Sequence, residues 1–175
     1  MIYNLRRLKN LCYYLPLKFK IDIPNVDQWI IDHQKDLEIN WSKESISLHL
    51  NKENSFNFYL TENDKIIGML VGHFLYQDQK NSEFEILHVA VMPDYRNQGI
   101  GKKILEELEK QLKMIDKSIK IFLEASSINK FAIKLYEKLG YKAYNERKNY
   151  YRGNSLNSFA SQDAILFAKS LDDIS

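Results

Sequence analysis

The chain contains little cysteine, proline or glycine: one, three and six residues respectively among 175. The single thiol, Cys12, cannot form an intramolecular disulfide, which excludes a secreted disulfide scaffold and favours a reducing cytoplasm. The scarcity of glycine and proline excludes collagen-like, linker-rich and disordered chains. Because 45% of the residues are hydrophobic and 13% are aromatic, we expect one domain with a sizeable buried core.

The sequence also lacks long apolar runs and an excess of charge of one sign. No apolar run approaches the roughly 18 residues that a membrane helix needs, and the N-terminal segment lacks the pattern of a signal peptide. With 25 basic and 23 acidic residues the net charge is only +2, and no basic block is long enough to predict a nucleic-acid partner. Histidine and cysteine nowhere show zinc-ligand spacing, so we expect no metal.

Hydrophobic periodicity predicts the order of strands and helices. We assign residues 1–14 as an N-terminal extension with the apolar spacing of a short amphipathic helix, and residues 15–171 as one domain. Segments with strand patterning lie at 17–23, 56–60, 65–73, 83–92, 120–125, 141–145 and 164–169. Segments with helical patterning lie at 25–35, after Ser42, at 100–115 and at 131–139. This order predicts an α/β domain whose strand–helix–strand crossovers occur only in its second half.

Local signals predict where several of these elements begin and end. Asn25 followed by Gln28 is typical of a capping box at the start of the first helix, and Ser42 predicts the N-cap of the second. The polar residues 61–64 predict a hairpin turn between two strands. Gly140 suits the left-handed position after the last helix, whose apolar stripe is predicted to include Phe131.

Two of the six glycines, Gly99 and Gly101, lie between an apolar strand and the long helix. Such a junction directs unpaired backbone N–H groups and the positive end of a helix dipole at one point, which suits a diphosphate. Arg96, Lys102 and Lys103 can add positive charge at its rim. The same spacing fits a tight turn at a helix start equally well, and Ile104 breaks the G-x-G-x-x-G dinucleotide fingerprint.

The sequence around this loop resembles the acetyl-CoA signature of the GNAT family of N-acetyltransferases. Arg96-x-x-Gly99-x-Gly101 matches the pattern (Q/R)-x-x-G-x-(G/A) and follows a strand that ends in Val-Ala-Val. Further segments resemble the bacterial RimI branch, the ribosomal-protein-alanine N-acetyltransferases: Leu123-Glu124, then Asn129, L-Y-E-x-L-G-Y at 135–141, N-Y-Y at 149–151, and upstream Asn40-Trp41-Ser42.

The resemblance implies both a fold and an activity. The fold is a single-domain GNAT fold, with a mixed, mostly antiparallel sheet of about seven strands flanked by about four helices. The activity is transfer of acetyl from acetyl-CoA to the N-terminal α-amine of a protein, of the ribosomal-protein type, in a ternary complex and without a metal. The implied cofactor-binding residues are Val89, Ala90, Val91, Arg96, Asn97, Gln98, Gly99, Ile100, Gly101, Lys102 and Asn129.

The resemblance also implies that Glu124 is the general base and Tyr136 the general acid. A protein α-amine, with a pKa of about 7.7–8.0, must lose a proton before it attacks a thioester, and a carboxylate can accept that proton. The departing thiolate then needs a proton, which a tyrosine hydroxyl can supply. Spacing alone fits a salt-bridged carboxylate and a core tyrosine as well. The implied acceptor-binding residues are Trp41, Tyr150 and Tyr151.

Two other functions remain open: acetylation of a small amine such as a polyamine or an antibiotic, and a regulatory subunit that binds CoA without turnover. The RimI branch usually has Val-Arg after Leu-Glu, whereas this chain has Ala125 and Ser126, so the identity of the acceptor is left open. Among the histidines, His88 is expected to be packed or hydrogen-bonded, and His49 and His73 show no partner at a readable spacing.

Overall fold

A seven-stranded sheet forms the centre of the fold in the computed structural model, which describes residues 17–20, 23–78, 81–116, 118–151 and 162–172. The strands are β1 (Leu17–Lys20), β2 (Ser55–Glu62), β3 (Lys65–Gln77), β4 (Ser82–Val91), β5 (Ser118–Ser126), β6 (Lys142–Tyr151) and β7 (Gln162–Asp172). The helices are α1 (Val26–Asp32), α2 (Gln34–Leu37), α3 (Lys43–Asn51), α4 (Ile100–Ile115) and α5 (Lys130–Lys138). This order confirms the predicted fold class.

The strands lie side by side in the order β1-β2-β3-β4-β5-β7-β6. The β4–β5 pair is parallel and is connected through α4, whereas the other neighbouring pairs are antiparallel. One face of the sheet packs against α4 and α5, and the opposite face packs against α1, α2 and α3. The sheet is therefore mixed and mostly antiparallel, as the resemblance to the GNAT family implies.

The β2–β3 hairpin closes through a tighter turn than the predicted four-residue one. Asn63 and Asp64 both have positive φ, 49° and 61°, which is the conformation of a type I′ turn. Asparagine and aspartate tolerate this left-handed region better than other non-glycine residues. The strands therefore extend up to Glu62 and from Lys65, on either side of a two-residue turn.

The predicted capping box at Asn25 is wrong. Asn25 has a φ of 55°, whereas a side chain that caps a helix needs an extended backbone, and its side chain makes no capping bond. The side chain of Gln28 donates instead to Asp32 at 2.7 Å, and α1 ends there rather than at residue 35. The predicted cap at Ser42 is confirmed, because its Oγ accepts from the Ser45 N–H at 3.2 Å.

The predicted apolar stripe of α4 is confirmed as the centre of the core. Its buried members are Ile100, Ile104, Leu105, Leu108 and Leu112. In α5, Gly140 has the expected left-handed conformation, with a φ of 86°. The prediction that Phe131 belongs to the buried stripe is wrong: it is 84% exposed, since the core contacts of α5 begin at Ala132.

A β-bulge in β4 separates two neighbouring strands. Val71 of β3 pairs with His88 of β4, but the next residue, Gly72, pairs with Ile86, so Leu87 is an extra residue. The pairing of β4 with β5 ends at the same place, at Ile86 and Leu123. Because a bulge bends its strand, β4 continues along β3 while β5 continues along β7. The two strands therefore diverge and leave an opening between them.

Gly72 is required next to this bulge. A Cβ atom at Gly72 would lie 2.5 Å from the ring of Phe84 and 2.7 Å from the carbonyl oxygen of Glu85. The backbone oxygen cannot move without disturbing the β3–β4 ladder. A bare backbone at this position therefore allows β4 to pass close to β3 just before β4 diverges from β5.

Two sequence-based predictions lie wholly or mostly outside the described residues: the helix proposed within 1–14, and a Ser/Asn-rich connection that the sequence predicts over 152–162, of which only Gln162, the first residue of β7, is described. The start of the domain at residue 15 also lies outside them and stays a prediction. In the described ranges, no helix is both long and apolar enough to cross a bilayer.

We expect the substitution Gly72→Ala to lower the free energy of unfolding by about 1–3 kcal/mol, because Phe84 and the backbone of Glu85 must shift to admit the methyl group. Urea unfolding of the free protein measures the change. Gly101→Ala is the matched control, since its added Cβ would meet only side-chain methyl groups, of Leu135 at 3.3 Å and of Val91 at 4.0 Å. Equal losses in the two variants would contradict the role assigned to Gly72.

Candidate active site

The opening between β4 and β5 is lined by the strand that the sequence predicts to bind the cofactor. Val89 and Val91 pack towards α4 and α5, whereas Ala90 is buried on the opposite face of the sheet. One edge of this part of β4 pairs with β3, and its pairing with β5 has ended at Ile86. The β5 edge of β4 is therefore available for a ligand that lies between the strands.

The start of α4 directs its backbone amides into open space. Gly99 is the N-cap with a φ of 77°, makes no side-chain cap, and has no atom within 4 Å of where a Cβ would lie. Asn97 also has a positive φ, 60°, and the first turn of α4 carries no acidic residue. A 16-residue helix that begins in this way provides N–H donors and a positive dipole end, which suits an anion.

The side chain of Arg96 fixes this loop to the rest of the fold. Its Nε donates to the Val91 carbonyl at 3.0 Å, its Nη2 donates to the Asp36 carbonyl at 2.5 Å, and its Nη1 lies 2.9 Å from Glu38. Lys102 lies 3.4 Å from Glu106. Since both of these cations have protein partners, the donors that the loop itself directs into open space are its backbone amides.

Gly101 contributes to packing as well as to the loop. A Cβ at this position would lie 3.3 Å from a methyl group of Leu135 and 4.0 Å from one of Val91. The glycine therefore lets the first turn of α4 approach both α5 and β4. Ile100 beside it is buried in the core, and Gln98 donates to the Asp94 carbonyl at 2.9 Å.

Glu124 lies in β5 just beyond the last residue that pairs with β4. Its neighbours Leu123 and Ala125 are buried in the core beneath α4 and α5, so strand alternation directs Glu124 to the opposite face of the sheet. Its Oε1 lies 2.6 Å from Nη1 of Arg147, and its Oε2 is buried without a hydrogen-bond partner. One carboxylate oxygen is thus fixed while the other remains available.

The pKa of Glu124 is raised above its ordinary value. Burial is the main cause, since it disfavours the charged carboxylate, and Arg147 opposes it. The negative charge of Glu85 on β4 raises the pKa further. A carboxylate with increased proton affinity is better suited to accept a proton than an ordinary surface one.

Arg147 is a site residue that the sequence interpretation did not assign. It contacts Glu124 from β6, across the intervening strand β7, and its guanidinium lies 5.2 Å from the ring centroid of Tyr150. Tyr150 is half exposed. Arg147 therefore connects the predicted base to a predicted acceptor-binding residue. Its position two residues before Asn149-Tyr150 is the sequence feature that could have identified it as a site residue.

Tyr136 is buried within the core on the opposite face of the sheet from Glu124. Its ring lies 6.0 Å from that of Tyr141 and 5.8 Å from that of Phe167, measured between centroids. Phe167 pairs with Leu123, the residue before Glu124. Glu124 and the ring of Tyr136 therefore lie on opposite faces of the sheet, both close to the point where the pairing of β5 with β4 ends.

The remaining predicted residues lie around this opening in different ways. Trp41 lies on the face that carries Glu124, with its ring 5.9 Å from that of His88. His88 is hydrogen-bonded to the Leu37 carbonyl at 2.9 Å, which confirms the expectation for this histidine. Asn129 caps α5, because its Oδ1 accepts from the Ala132 N–H at 3.1 Å. The side chain of Tyr151 lies outside the described part of the structure.

The described residues contain no group of three or more His, Cys, Asp or Glu side chains that is arranged to hold a metal ion. What the site offers is an anion-binding helix start, an opening between diverging strands and a buried carboxylate beside it. Together with the mixed sheet, these features suit a phosphate-bearing ligand that lies between the strands, next to a carboxylate that can accept a proton.

Comparisons with known proteins identify the family. The family model described as "Acetyltransferase (GNAT) family" matches residues 26–141. The ribosomal protein bS18-alanine N-acetyltransferase of Escherichia coli (strain K12) is 31% identical over 128 residues, which cover 73% of this chain and 79% of that protein. The chain therefore belongs to the GNAT family of acetyltransferases, and the predicted resemblance to the RimI branch is confirmed.

Solved structures share the fold. The crystal structure of the ribosomal-protein-S18-alanine N-acetyltransferase from Escherichia coli has a TM-score of 0.78 and 26% identity, and the match covers 91% of this chain and 96% of that one. Arabidopsis thaliana NAA60, solved in complex with acetyl-CoA, has a TM-score of 0.74 at 17% identity, with 89% and 98% covered. The chain is thus an N-acetyltransferase with the GNAT fold.

We expect Arg147→Gln to raise the pKa of Glu124, because the guanidinium is the group that lowers it. A ¹³C NMR titration of the glutamate side-chain carboxyls, with Glu124 assigned through Glu124→Gln, measures the midpoint. Lys148→Gln is the matched control, since the ammonium of Lys148 pairs with Glu146 and Asp163 instead. A midpoint that falls in Arg147→Gln would refute the proposed balance of charges.

Proposed function

We propose that this protein transfers acetyl from acetyl-CoA to the N-terminal α-amine of a protein acceptor of the ribosomal-protein type. The observation that carries the proposal is the state of Glu124: one oxygen is fixed by Arg147, and the other is buried without a partner at the edge of the β4–β5 opening. A carboxylate in this state is suited to take a proton from an amine that enters the opening.

Acetyl-CoA fits the features of the opening. Its diphosphate would accept hydrogen bonds from the backbone amides of residues 97–102, where Gly99 leaves open space. Its extended arm would lie along the free edge of β4 at Val89, Ala90 and Val91, as a strand would. The acetyl-CoA found with the structural relative from Arabidopsis supports this choice of donor.

Glu124 and Tyr136 would divide the proton transfers between them. Oε2 of Glu124 accepts a proton from the acceptor ammonium, directly or through water, so that the neutral amine attacks the thioester carbonyl carbon. A C–N bond forms, the C–S bond breaks, and the thiolate takes a proton from the hydroxyl of Tyr136. The amide nitrogen loses its second proton, which returns Tyr136 to its neutral form, and Glu124 releases its own proton to water. The two side chains lie on opposite faces of the sheet, so each would reach the opening from its own side.

The acceptor would approach on the face that carries Glu124. Arg147 and Tyr150 flank the carboxylate on one side, and Trp41 lies over β4 on the other. The activity named for the Escherichia coli relative, acetylation of an alanine of ribosomal protein bS18, supports a protein N-terminus as the acceptor. The role of Tyr151 and a cytoplasmic location stay predictions.

The departure from the RimI pattern has a structural counterpart. Where the branch usually has an arginine, Ser126 donates from Oγ to the side chain of Gln162 at 2.6 Å. A neutral hydrogen bond between β5 and β7 thus replaces a cation near the acceptor side. We therefore expect the acceptor sequence preference of this enzyme to differ from that of the branch.

Acetyl transfer to a panel of short peptides with different N-termini tests the acceptor class. We expect turnover with at least one peptide that has a free α-amine and none with the same peptide blocked at its N-terminus. Turnover with polyamines or antibiotics but with no peptide would assign the protein to small-amine acetylation. Tight binding of acetyl-CoA without any turnover would instead indicate a regulatory subunit.

We expect Glu124→Gln to lower kcat roughly 10²- to 10⁴-fold, because the amide cannot accept the proton. Acetyl-CoA affinity, measured by calorimetry, should change little, since Glu124 lies on the acceptor side. Tyr136→Phe should lower kcat while the fold is retained, because the rings of Tyr141 and Phe167 still have an aromatic neighbour. Full activity of both variants would contradict these assignments.

The substitution Gly99→Asp tests the diphosphate loop. A carboxylate there should weaken acetyl-CoA binding roughly 10- to 100-fold, through repulsion between like charges in the open space before α4. Gly99→Asn is the matched control, because it has the same shape without the charge and asparagine tolerates the positive φ. Equal calorimetric affinities for the two variants would remove the diphosphate from this loop.

A further inference from the structure

A second carboxylate lies near Glu124 on the neighbouring strand. Glu85 of β4 pairs with Phe122 of β5, and Glu124 is two residues further along β5. Phe84 and Ile86 point into the core beneath α4, so Glu85 points to the opposite face, as Glu124 does. The β4–β5 ladder is parallel and ends just before Glu124, so strands about 4.8 Å apart with a rise of about 3.3 Å per residue place the two Cα atoms about 8 Å apart. The two carboxylates therefore act on each other electrostatically.

Glu85 is fixed in this position by a histidine. Nε2 of His73 lies 3.4 Å from Oε2 of Glu85, and the two residues are direct partners across the β3–β4 ladder. His73 is buried, and its Nδ1 has no hydrogen-bond partner. Burial lowers the pKa of His73, although Glu85 opposes this effect. A buried histidine on the ladder thus restrains Glu85 without burying its charge completely.

We propose that Glu85, held by His73, is a positioning residue for Glu124: its negative charge on the adjacent strand counteracts the attraction of Arg147 and keeps the carboxylate of Glu124 ready to accept a proton. This role rests on the proposed function, in which Glu124 is the base. In this role, Glu85 makes no contact with the substrate.

By itself, Arg147 would make Glu124 a weaker base. A guanidinium 2.6 Å from a carboxylate stabilises the charged form, which makes the carboxylate a weaker base. An efficient base has a proton affinity close to that required at the working pH. Glu85 supplies a charge of the same sign as Glu124 and raises its pKa against the effect of Arg147. The base is thereby fixed in place by one neighbour and kept basic by the other.

Other charged groups, of both signs, face the same region as Glu85 and Glu124. From α3, His49 lies near Trp41, and Lys52 follows the helix; Lys52 lowers the pKa of both His49 and His73. Further charged groups on this face of the strands include Glu83 and His88 on β4, Lys120 on β5, and Lys142 and Arg147 on β6. Glu83 lies further from Glu124 than Glu85 does, because Glu83 pairs with Lys120 and Glu85 pairs with Phe122, which is closer to Glu124 along β5.

The direct test is the NMR titration of Glu124 in the free protein, compared between Glu85→Gln and Glu83→Gln. Removing the charge of Glu85 should lower the midpoint of Glu124 by roughly 0.5–1 pH unit, as expected for like charges at this separation. Glu83→Gln should shift it much less, since its charge lies further along β4. Glu85→Asp, which retains the charge, should remain closer to the unaltered protein than Glu85→Gln.

Kinetics with the best peptide acceptor give the second measurement. Because Glu85→Gln is expected to lower the pKa of Glu124, the acidic limb of its kcat–pH profile should move to lower pH. This shift should equal the shift in the NMR midpoint of Glu124. An unchanged Glu124 midpoint, or equal shifts in the two glutamine variants, would overturn the proposal. Loss of all turnover in Glu85→Gln with an unchanged midpoint would also overturn it, because Glu85 would then act on the substrate itself.

The titration separates this proposal from the proposed function. It requires neither acetyl-CoA nor an acceptor, so the coupling of Glu85 to Glu124 can be measured even if no peptide is acetylated. If the midpoint shifts as expected but no peptide turns over, the electrostatic role stands and the acceptor assignment fails.

Discussion

The divergence of β4 and β5 at the bulge is the constraint on which the rest of the site depends. Leu87 is the extra residue in β4, and the pairing with β5 ends at Ile86 and Leu123. Beyond this point β4 has a free backbone edge, α4 begins at the end of the opening, and Glu124 lies at its side. A continuous parallel ladder would fill the same space with hydrogen bonds between the strands and leave no room for a ligand.

Two kinds of electrostatic group surround this opening: backbone donors with a fixed direction, and a carboxylate whose pKa depends on its charged neighbours. The helix start at Gly99 provides donors whose direction is set by the backbone, and Arg96 ties the loop to α2. Glu124 instead lies between opposing influences, since burial and Glu85 raise its pKa while Arg147 lowers it. In the proposed function, the binding of an anionic donor would thus depend on the backbone, whereas proton transfer would depend on a balance of side-chain charges.

Sequence patterns predicted the elements where local rules are strong. The apolar stripe of α4, the Ser42 cap and the left-handed Gly140 are confirmed because each depends on residues within one or two turns. The Asn25 capping box is wrong because the backbone there is left-handed. The burial of Phe131 is wrong because periodicity does not reveal where along a helix the core contacts begin.

The sequence by itself determined the fold class, the glycine loop and, through resemblance, the family and the identity of Glu124 and Tyr136 as candidates. Only the tertiary structure decided which groups surround them. Arg147 is 23 residues from Glu124 in sequence and reaches it across β7. The Glu85–His73 pair likewise depends on the β3–β4 register. Such partners are set by strand order, register and a bulge, all of which arise from packing between distant segments rather than from local sequence.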